Sequence, residues 1–370
     1  MNIIIDQKQL LRSIQGIAAV VPTKTSLPIL STFLMESGGE GRLSLTANDL
    51  DVSLTTTVEG ETQGGGSVAV PGKKFFEIVR SLPEEKVEIE VEGEKIAIKC
   101  RKSRFKVMGK PAEEFPKLPE QKAVANFSLA TAVMEEMVNK TAYAVSSDLT
   151  RPSLCGVLWE LKDGNLGMVA TDGHRLAKVE LEGAVAGVAN TEFIVSPKSL
   201  NILRSLSAGS EETTIAVAEN HITFDFGEHI IYSRLLEGPF PDYNQVIPRK
   251  NTKRLVVNRD ELADACRRVS ILSSVITHQV KLVVSKEKLT ISVSTPDVGE
   301  AAEEVPCSFG EGQMEIGYNA RYLLDILRTM DSGSVAFLLD RNDNAGMMIP
   351  EGSESKLRHQ CLLMPLRLTD

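Results

Sequence analysis

Apolar positions along this chain recur at two spacings, and the alternation between the two repeats at long range. Residues 76–82 read Phe-Glu-Ile-Val-Arg-Ser-Leu, 200–206 read Leu-Asn-Ile-Leu-Arg-Ser-Leu, and 324–330 read Leu-Asp-Ile-Leu-Arg-Thr-Met. Each is an apolar helical stretch with one arginine, and Arg80, Arg204 and Arg328 stand 124 residues apart. Three such periods cover nearly all 370 residues, so the repeated unit is a domain, far longer than a solenoid repeat. About sixty residues before each copy lies another helical pattern. Its apolar positions are Leu10, Ile14, Ile17 and Val21 in the first third, Leu129, Val133 and Met137 in the second, and Leu262, Cys266 and Val269 in the third. Asn258 stands where it would cap the last of these. The predicted helical stretches are 6–20, 71–82, 128–145, 197–206, 258–270 and 319–330.

Between and after the helices the period falls to two. Arg42-Leu-Ser-Leu-Thr, Gly167-Met-Val-Ala-Thr and Lys288-Leu-Thr-Ile-Ser-Val-Ser alternate as strands do. So do Val87-Glu-Ile-Glu-Val-Glu, Thr214-Ile-Ala-Val-Ala and Ser334-Val-Ala-Phe-Leu-Leu. Turn residues such as Glu92-Gly-Glu and Asp163-Gly-Asn separate them. Phe115-Pro-Lys-Leu-Pro and Phe240-Pro-Asp-Tyr-Asn-Gln-Val-Ile-Pro read as short ordered connectors. The expected fold is α+β, with three repeated domains at 1–124, 125–249 and 250–370. Each has two helices packed on antiparallel sheets of roughly eight strands.

Composition narrows the class. An apolar share of 42% and a charged share of 25% are those of a soluble globular protein. There is no signal-like N-terminus and no run long enough to span a bilayer, so the expectation is cytoplasmic. The five cysteines, Cys100, Cys155, Cys266, Cys307 and Cys361, are scattered and form no CxxC pair. Several fall on helix or strand patterns and read as small buried apolar residues, and neither a metal nor another cofactor is expected. The net charge of −9 argues against nucleic acid as a partner, but its distribution argues the other way. The six predicted helical stretches sum to +5 and the rest of the chain to −14. Repeated basic helices can face one anionic partner while acidic sheets face away, because salt screens charges beyond about 10 Å.

Thr171-Asp-Gly-His-Arg reads as a hairpin turn between strands 167–170 and 176–181, with His174 and Arg175 just past the tip. Asp172 beside His174 leaves an enzyme reading open, but no nucleophile signature or second metal ligand accompanies the pair. A three-domain scaffold that binds only peptides is a further alternative.

Ala170-Thr-Asp-Gly-His-Arg-Leu-Ala177 resembles the bacterial DNA polymerase III β subunit family, the sliding clamps. Ser26-Leu-Pro-Ile-Leu, Thr150-Arg-Pro, Phe240-Pro-Asp-Tyr and the terminal Met364-Pro-Leu-Arg-Leu resemble the same family, in order and over the full length. The resemblance implies a head-to-tail homodimer closing as a ring, with helices lining the hole and sheets forming the wall. It implies a non-catalytic processivity factor of DNA replication that encircles double-stranded DNA without reading its sequence. Its partners would be the replicative polymerase alpha subunit, the clamp loader and other proteins carrying clamp-binding peptides.

Carried onto this sequence, the peptide pocket would use Leu154, Thr171, Gly173, His174, Arg175 and Leu176, then Pro241 and Val246. Asn319, Tyr322, Leu362, Met364, Pro365, Leu366, Arg367 and Leu368 would complete it. DNA contacts would come from Lys24 and Arg151 in loops and from the helix cations Lys73, Arg80, Lys140, Lys198 and Arg204. Each of these is otherwise an ordinary solvated charge. The dimer interface would pair Phe105 and Val107 with Ile271 and Leu272, flanked by Lys74 and Arg104 against Glu300, Glu303 and Glu304. Strand pattern alone would place Phe105 in a core. Two departures from the family's pattern stand out: Asn244-Gln245, where a basic residue is common, and the Thr369-Asp370 extension.

Overall fold

The computed structural model describes residues 1–22, 24–39, 41–118 and 122–368. Pro119 of the first connector and the Thr369-Asp370 extension lie outside them. Apart from the short β5 of the first, the three thirds repeat one order of strands and helices. In the first, β1 (Asn2–Asp6) runs directly into α1 (Gln7–Ala18). Then come β2 (Thr32–Ser37), β3 (Arg42–Asn48), β4 (Val52–Glu59), the short β5 (Glu61–Gln63) and β6 (Gly66–Pro71). Helix α2 (Gly72–Ser81) and strands β7 (Lys86–Glu92), β8 (Lys95–Cys100) and β9 (Ser103–Met108) complete it.

The middle third gives β10 (Ala125–Ala130), α3 (Thr131–Thr141), β11 (Val157–Lys162), β12 (Asn165–Thr171), β13 (Arg175–Leu181) and β14 (Thr191–Val195). Helix α4 (Pro197–Leu206) precedes β15 (Glu212–Val217), β16 (His221–Asp225) and β17 (His229–Leu236). The last third gives β18 (Lys253–Asn258), α5 (Arg259–Val269), β19 (Gln279–Val284), β20 (Lys288–Thr295), β21 (Gly299–Phe309) and β22 (Met314–Asn319). It ends with α6 (Ala320–Thr329), β23 (Ser334–Leu339), β24 (Gly346–Glu351) and β25 (Arg358–Leu363).

The repeated heptads are α2, α4 and α6, and their pattern has a local cause. Val79, Leu203 and Leu327 are buried, while the following arginines are exposed in the last turn. There the cation meets the negative end of the helix dipole. Asn258 caps α5 as expected, accepting from the amides of Asp260 (3.0 Å) and Glu261 (3.0 Å). Asp6 serves α1 in the same way. The predicted helix 128–145 is corrected: it begins at Thr131, and Leu129 lies on β10. Ala125, Phe127 and Leu129 are the buried alternate positions of that strand, and Leu129 also sits a helical step from Val133. Both periods fit the one residue.

The chain forms two compact units, residues 1–134 with 198–235 and residues 135–197 with 236–370. The first packs Leu10, Ile14 and Ile17 of α1 with Phe75 and Val79 of α2 in its core. Gly16 allows close helix approach, since a Cβ there would lie 2.9 Å from the Leu206 side chain of α4. In this unit β17 pairs antiparallel with β4, Tyr232 opposite Ser53. A five-stranded sheet runs β5-β1-β7-β8-β9, so β9 is an edge. In the second unit β13 pairs antiparallel with β25, Leu176 opposite Leu362. Strand β21 divides its pairing, with residues 299–306 on β20 and 307–309 on β18. Among the described residues no helix is long and apolar enough to cross a membrane.

Candidate functional site: a groove in the second unit

The turn between β12 and β13 is held by its own side chains. The Asp172 carboxylate accepts from the amides of His174 (2.8 Å) and Arg175 (3.0 Å). The Thr171 hydroxyl accepts from the Gly173 amide (3.1 Å) and donates to the Arg175 carbonyl (2.6 Å). Gly173 has φ +92°, a conformation a side chain would strain. Arg175 is committed as well. It reaches Asp172 (3.1 Å), Asp325 (2.7 Å) and the Tyr143 carbonyl (2.7 Å), and lies 4.4 Å from the centre of the Tyr322 ring. Asp172 is thus a turn residue. His174 is exposed, its ring 6.4 Å from that of Tyr322, and among the described residues it has no side-chain hydrogen bond to a carboxylate or nucleophile.

The β13–β25 ladder brings the end of the chain to this turn. The Met364 amide donates to the His174 carbonyl (2.9 Å), and the Leu366 amide to the Gly317 carbonyl (2.8 Å). Gln279 Nε2 donates to the Arg367 carbonyl (3.2 Å). Gly317 makes this seat possible, because a Cβ there would lie 2.8 Å from the Leu366 carbonyl oxygen and 2.9 Å from Leu368 Cδ2. Asn319 caps α6, accepting from Arg321 (2.9 Å) and Tyr322 (3.2 Å), and donates to the Thr277 carbonyl (3.0 Å).

The expected pocket residues therefore sort into layers. Leu154, Leu176 and Leu362 are buried and make a floor rather than an open lining. Leu176 and Leu362 share an apolar cluster with Leu158, Val169, Ile194 and Tyr243. Pro241 and Val246 are exposed, on either side of the turn Tyr243–Gln245. Met364 keeps 45% of its surface exposed, and Pro365, Leu366 and Leu368 are half-buried. Apolar walls with few polar groups, joined by a pliable methionine, suit a short apolar peptide. Gln245 spends its amide on Asp242 (3.1 Å).

The expected DNA cations divide. Lys24, Lys73, Arg80 and Arg204 are exposed. Arg151 is held by Asp148 (3.1 Å), and Lys198 pairs with Asp49. Lys140 is corrected: it is 3% exposed and donates to Asp331 (3.0 Å) and to the Thr329 carbonyl (3.2 Å). A phosphate cannot reach it. Sequence reading missed a groove between α5 and α6 where Arg259, Arg267, Arg321 and Arg328 surround Leu324 and Leu327. Helix α5 carries as many carboxylates as arginines, and the zero sum hid them. Among the described residues no cluster of His, Cys, Asp and Glu could hold a metal ion.

Phe105 and Val107 are half-buried on the edge strand β9, not in a core. Ile271 is 77% exposed and Leu272 half-buried, just beyond α5. Glu300, Glu303 and Glu304 lie on the open part of β21. Within this chain they already meet Ser294 (2.9 Å), Arg268 (2.9 Å) and Lys288 (2.8 Å). Lys74 meets Glu77 (3.0 Å), and Arg104 is exposed.

Three family models match the chain in order. They are the N-terminal domain of the DNA polymerase III beta subunit at residues 1–119, its central domain at 128–242 and its C-terminal domain at 244–366. The chain is similar to the beta sliding clamp of Pseudomonas aeruginosa, 34% identical with 100% of both chains covered. It is similar to that of Escherichia coli K12, 30% identical with the same full coverage. A Pseudomonas aeruginosa sliding clamp solved bound to griselimycin matches at a TM-score of 0.94 and 34% identity over 100% of both chains.

Proposed function

Because the chain belongs to the DNA polymerase III beta subunit family, we propose that two copies close head to tail into a ring around duplex DNA, with the groove of the second unit as its peptide tether. The protein is a sliding clamp: a non-catalytic processivity factor of DNA replication that encircles duplex DNA and holds its partners there.

One observation about the repeat carries the ring. Strands β4, β13 and β21 occupy the same place in the three thirds, as do β9, β17 and β25. Two of the possible partnerships, β4 with β17 and β13 with β25, are made within the chain. The third leaves the outer edge of β9 and the 299–306 edge of β21 without a strand partner among the described residues. A second copy supplies it. Charge supports the match, since β9 presents Arg104 and Lys106 while β21 presents Glu300, Glu303 and Glu304. Two copies form two such joints, and closure covers the open edges of β9 and β21 in both.

The reading assigns Lys24, Lys73, Arg80, Arg151, Lys198 and Arg204 to phosphate contacts, joined by Arg267, Arg321 and Arg328 of the α5–α6 groove. Phosphate contacts are sequence-independent and easily exchanged, so the protein slides and enclosure sets its residence. The groove around His174, Tyr322 and Met364 takes the peptides of the replicative polymerase alpha subunit and the clamp loader. Domain limits near 124 and 250 and a cytoplasmic location belong to the same reading.

The deciding experiment is retention. Loaded onto nicked circular DNA, the protein should remain bound and then leave when the circle is cut. Equal retention on circular and linear DNA would reject enclosure.

A further inference from the structure

Next to the groove, the connector after Tyr243 borders a second cavity of about 440 Å³, within the common range of ligand clefts, about 300–1,000 Å³. Two observations join it to the groove. Ile247 lines the cavity and also packs on the apolar cluster that holds Leu176 and Leu362. Asn251 Nδ2 donates to the carbonyls of Leu338 (2.9 Å) and Ala345 (2.8 Å), fixing the connector beside Met347, which stands opposite Leu362.

The cavity's charge is unbalanced. Arg249 and Lys250 are exposed on its wall with no carboxylate partner among the described residues. Its one carboxylate, Asp340, accepts from Asn344 (2.8 Å). Neither cation is neutralised by a neighbouring carboxylate, although the chain as a whole carries a net charge of −9, so the wall beside the apolar groove offers positive charge to a bound segment. We propose that this cavity reads acidic residues flanking the apolar anchors of a bound peptide. The preferred ligand is then a linear segment with Leu or Phe anchors and neighbouring Asp or Glu. This rests on the groove being the peptide site, and it adds charge complementarity to apolar burial.

The test is fluorescence anisotropy on the full-length dimer with three labelled peptides sharing one Gln-, Leu- and Phe-containing core. One is flanked by glutamines, one has three glutamates before the core, and one has three after it. Glutamates on one side should tighten binding about three- to tenfold at low salt, the scale of exposed ion pairs. The gain should shrink as salt rises. Arg249→Gln with Lys250→Gln should abolish the gain and leave the glutamine-flanked peptide unchanged; Lys250→Gln alone should halve it. No gain from either glutamate peptide in the unaltered protein, or full gain in the double variant, would overturn the inference. A glutamine-flanked peptide that binds Met364→Ala as tightly as the unaltered protein would instead remove the groove itself.

Discussion

At the scale of single residues, the sequence names which side chains gather at the groove but not the depth of each. The family resemblance implies Leu176 and Leu362 as ligand contacts, yet the ladder between β13 and β25 sets them face to face under the surface. Lys140 was misread for a related reason. Its burial depends on Asp331, 191 positions away, and no local period announces such a partner. Lys140→Met should lower unfolding free energy by about 2–3 kcal/mol in urea titration. That is less than the loss expected for a fully buried pair, since Asp331 keeps 26% of its side-chain surface. The same change should leave the salt dependence of DNA binding untouched.

His359 is buried, and burial drives its pKa down to about 3. The unfolded chain takes up that proton near pH 6.5 while the folded one does not. Stability from this group is therefore complete above about pH 6.5 and is lost as pH falls toward 3. The slope should be at most about 1.4 kcal/mol per pH unit, and His359→Gln should flatten it. Denaturation midpoints at pH 7, 6 and 5 would show whether it does.

At the scale of elements, the helices and most strands were legible because their periods are strong and their caps local. Strand partnership was less so. Alternation in Ser103-Arg-Phe-Lys-Val marks a strand with one covered face, but it cannot say whether a neighbour covers its edge. Only the sheet order shows β9 to be terminal, and only the split pairing of β21 shows where a matching edge lies open. An exposed apolar edge is a liability in a monomer unless a partner covers it. Ile271→Ala with Leu272→Ala should therefore give monomers in sedimentation at low concentration, while circular dichroism stays unchanged. A double variant that still sediments as a dimer would place the joint elsewhere. Gly317→Ala probes a different element, the terminal segment seated on β22. The added Cβ would press on the Leu366 carbonyl, unseat the chain's end and weaken peptide binding, with the dimer intact.

At the scale of the whole molecule, the equal thirds were plain from the 124-residue spacing, but the compact units do not follow them. The middle third gives some strands to each unit, because each third lends a strand to its neighbour's sheet. Among the described residues such a chain carries one unfilled partnership in its first third, on β9, and one in its last, on β21, and a second copy fills both. The same repetition explains how an acidic protein serves DNA. Exposed Lys73, Arg80 and Arg204 lie on helices α2 and α4, while acidic residues such as Glu88, Glu90 and Glu92 alternate on β7. If the helices meet DNA, each phosphate-contacting cation releases about one counterion. Replacing Lys73 and Arg80 together by Ala should then reduce the log–log salt slope of direct binding by about 1.8, or about 0.9 per contact. Charge lost from the sheet side has no such effect: Lys95→Ala on β8 should leave the slope unchanged. Titrations across several salt concentrations distinguish the two. Equal slopes for the Lys73/Arg80 variant and the unaltered protein would remove α2 from the DNA-facing surface, even with the dimer intact.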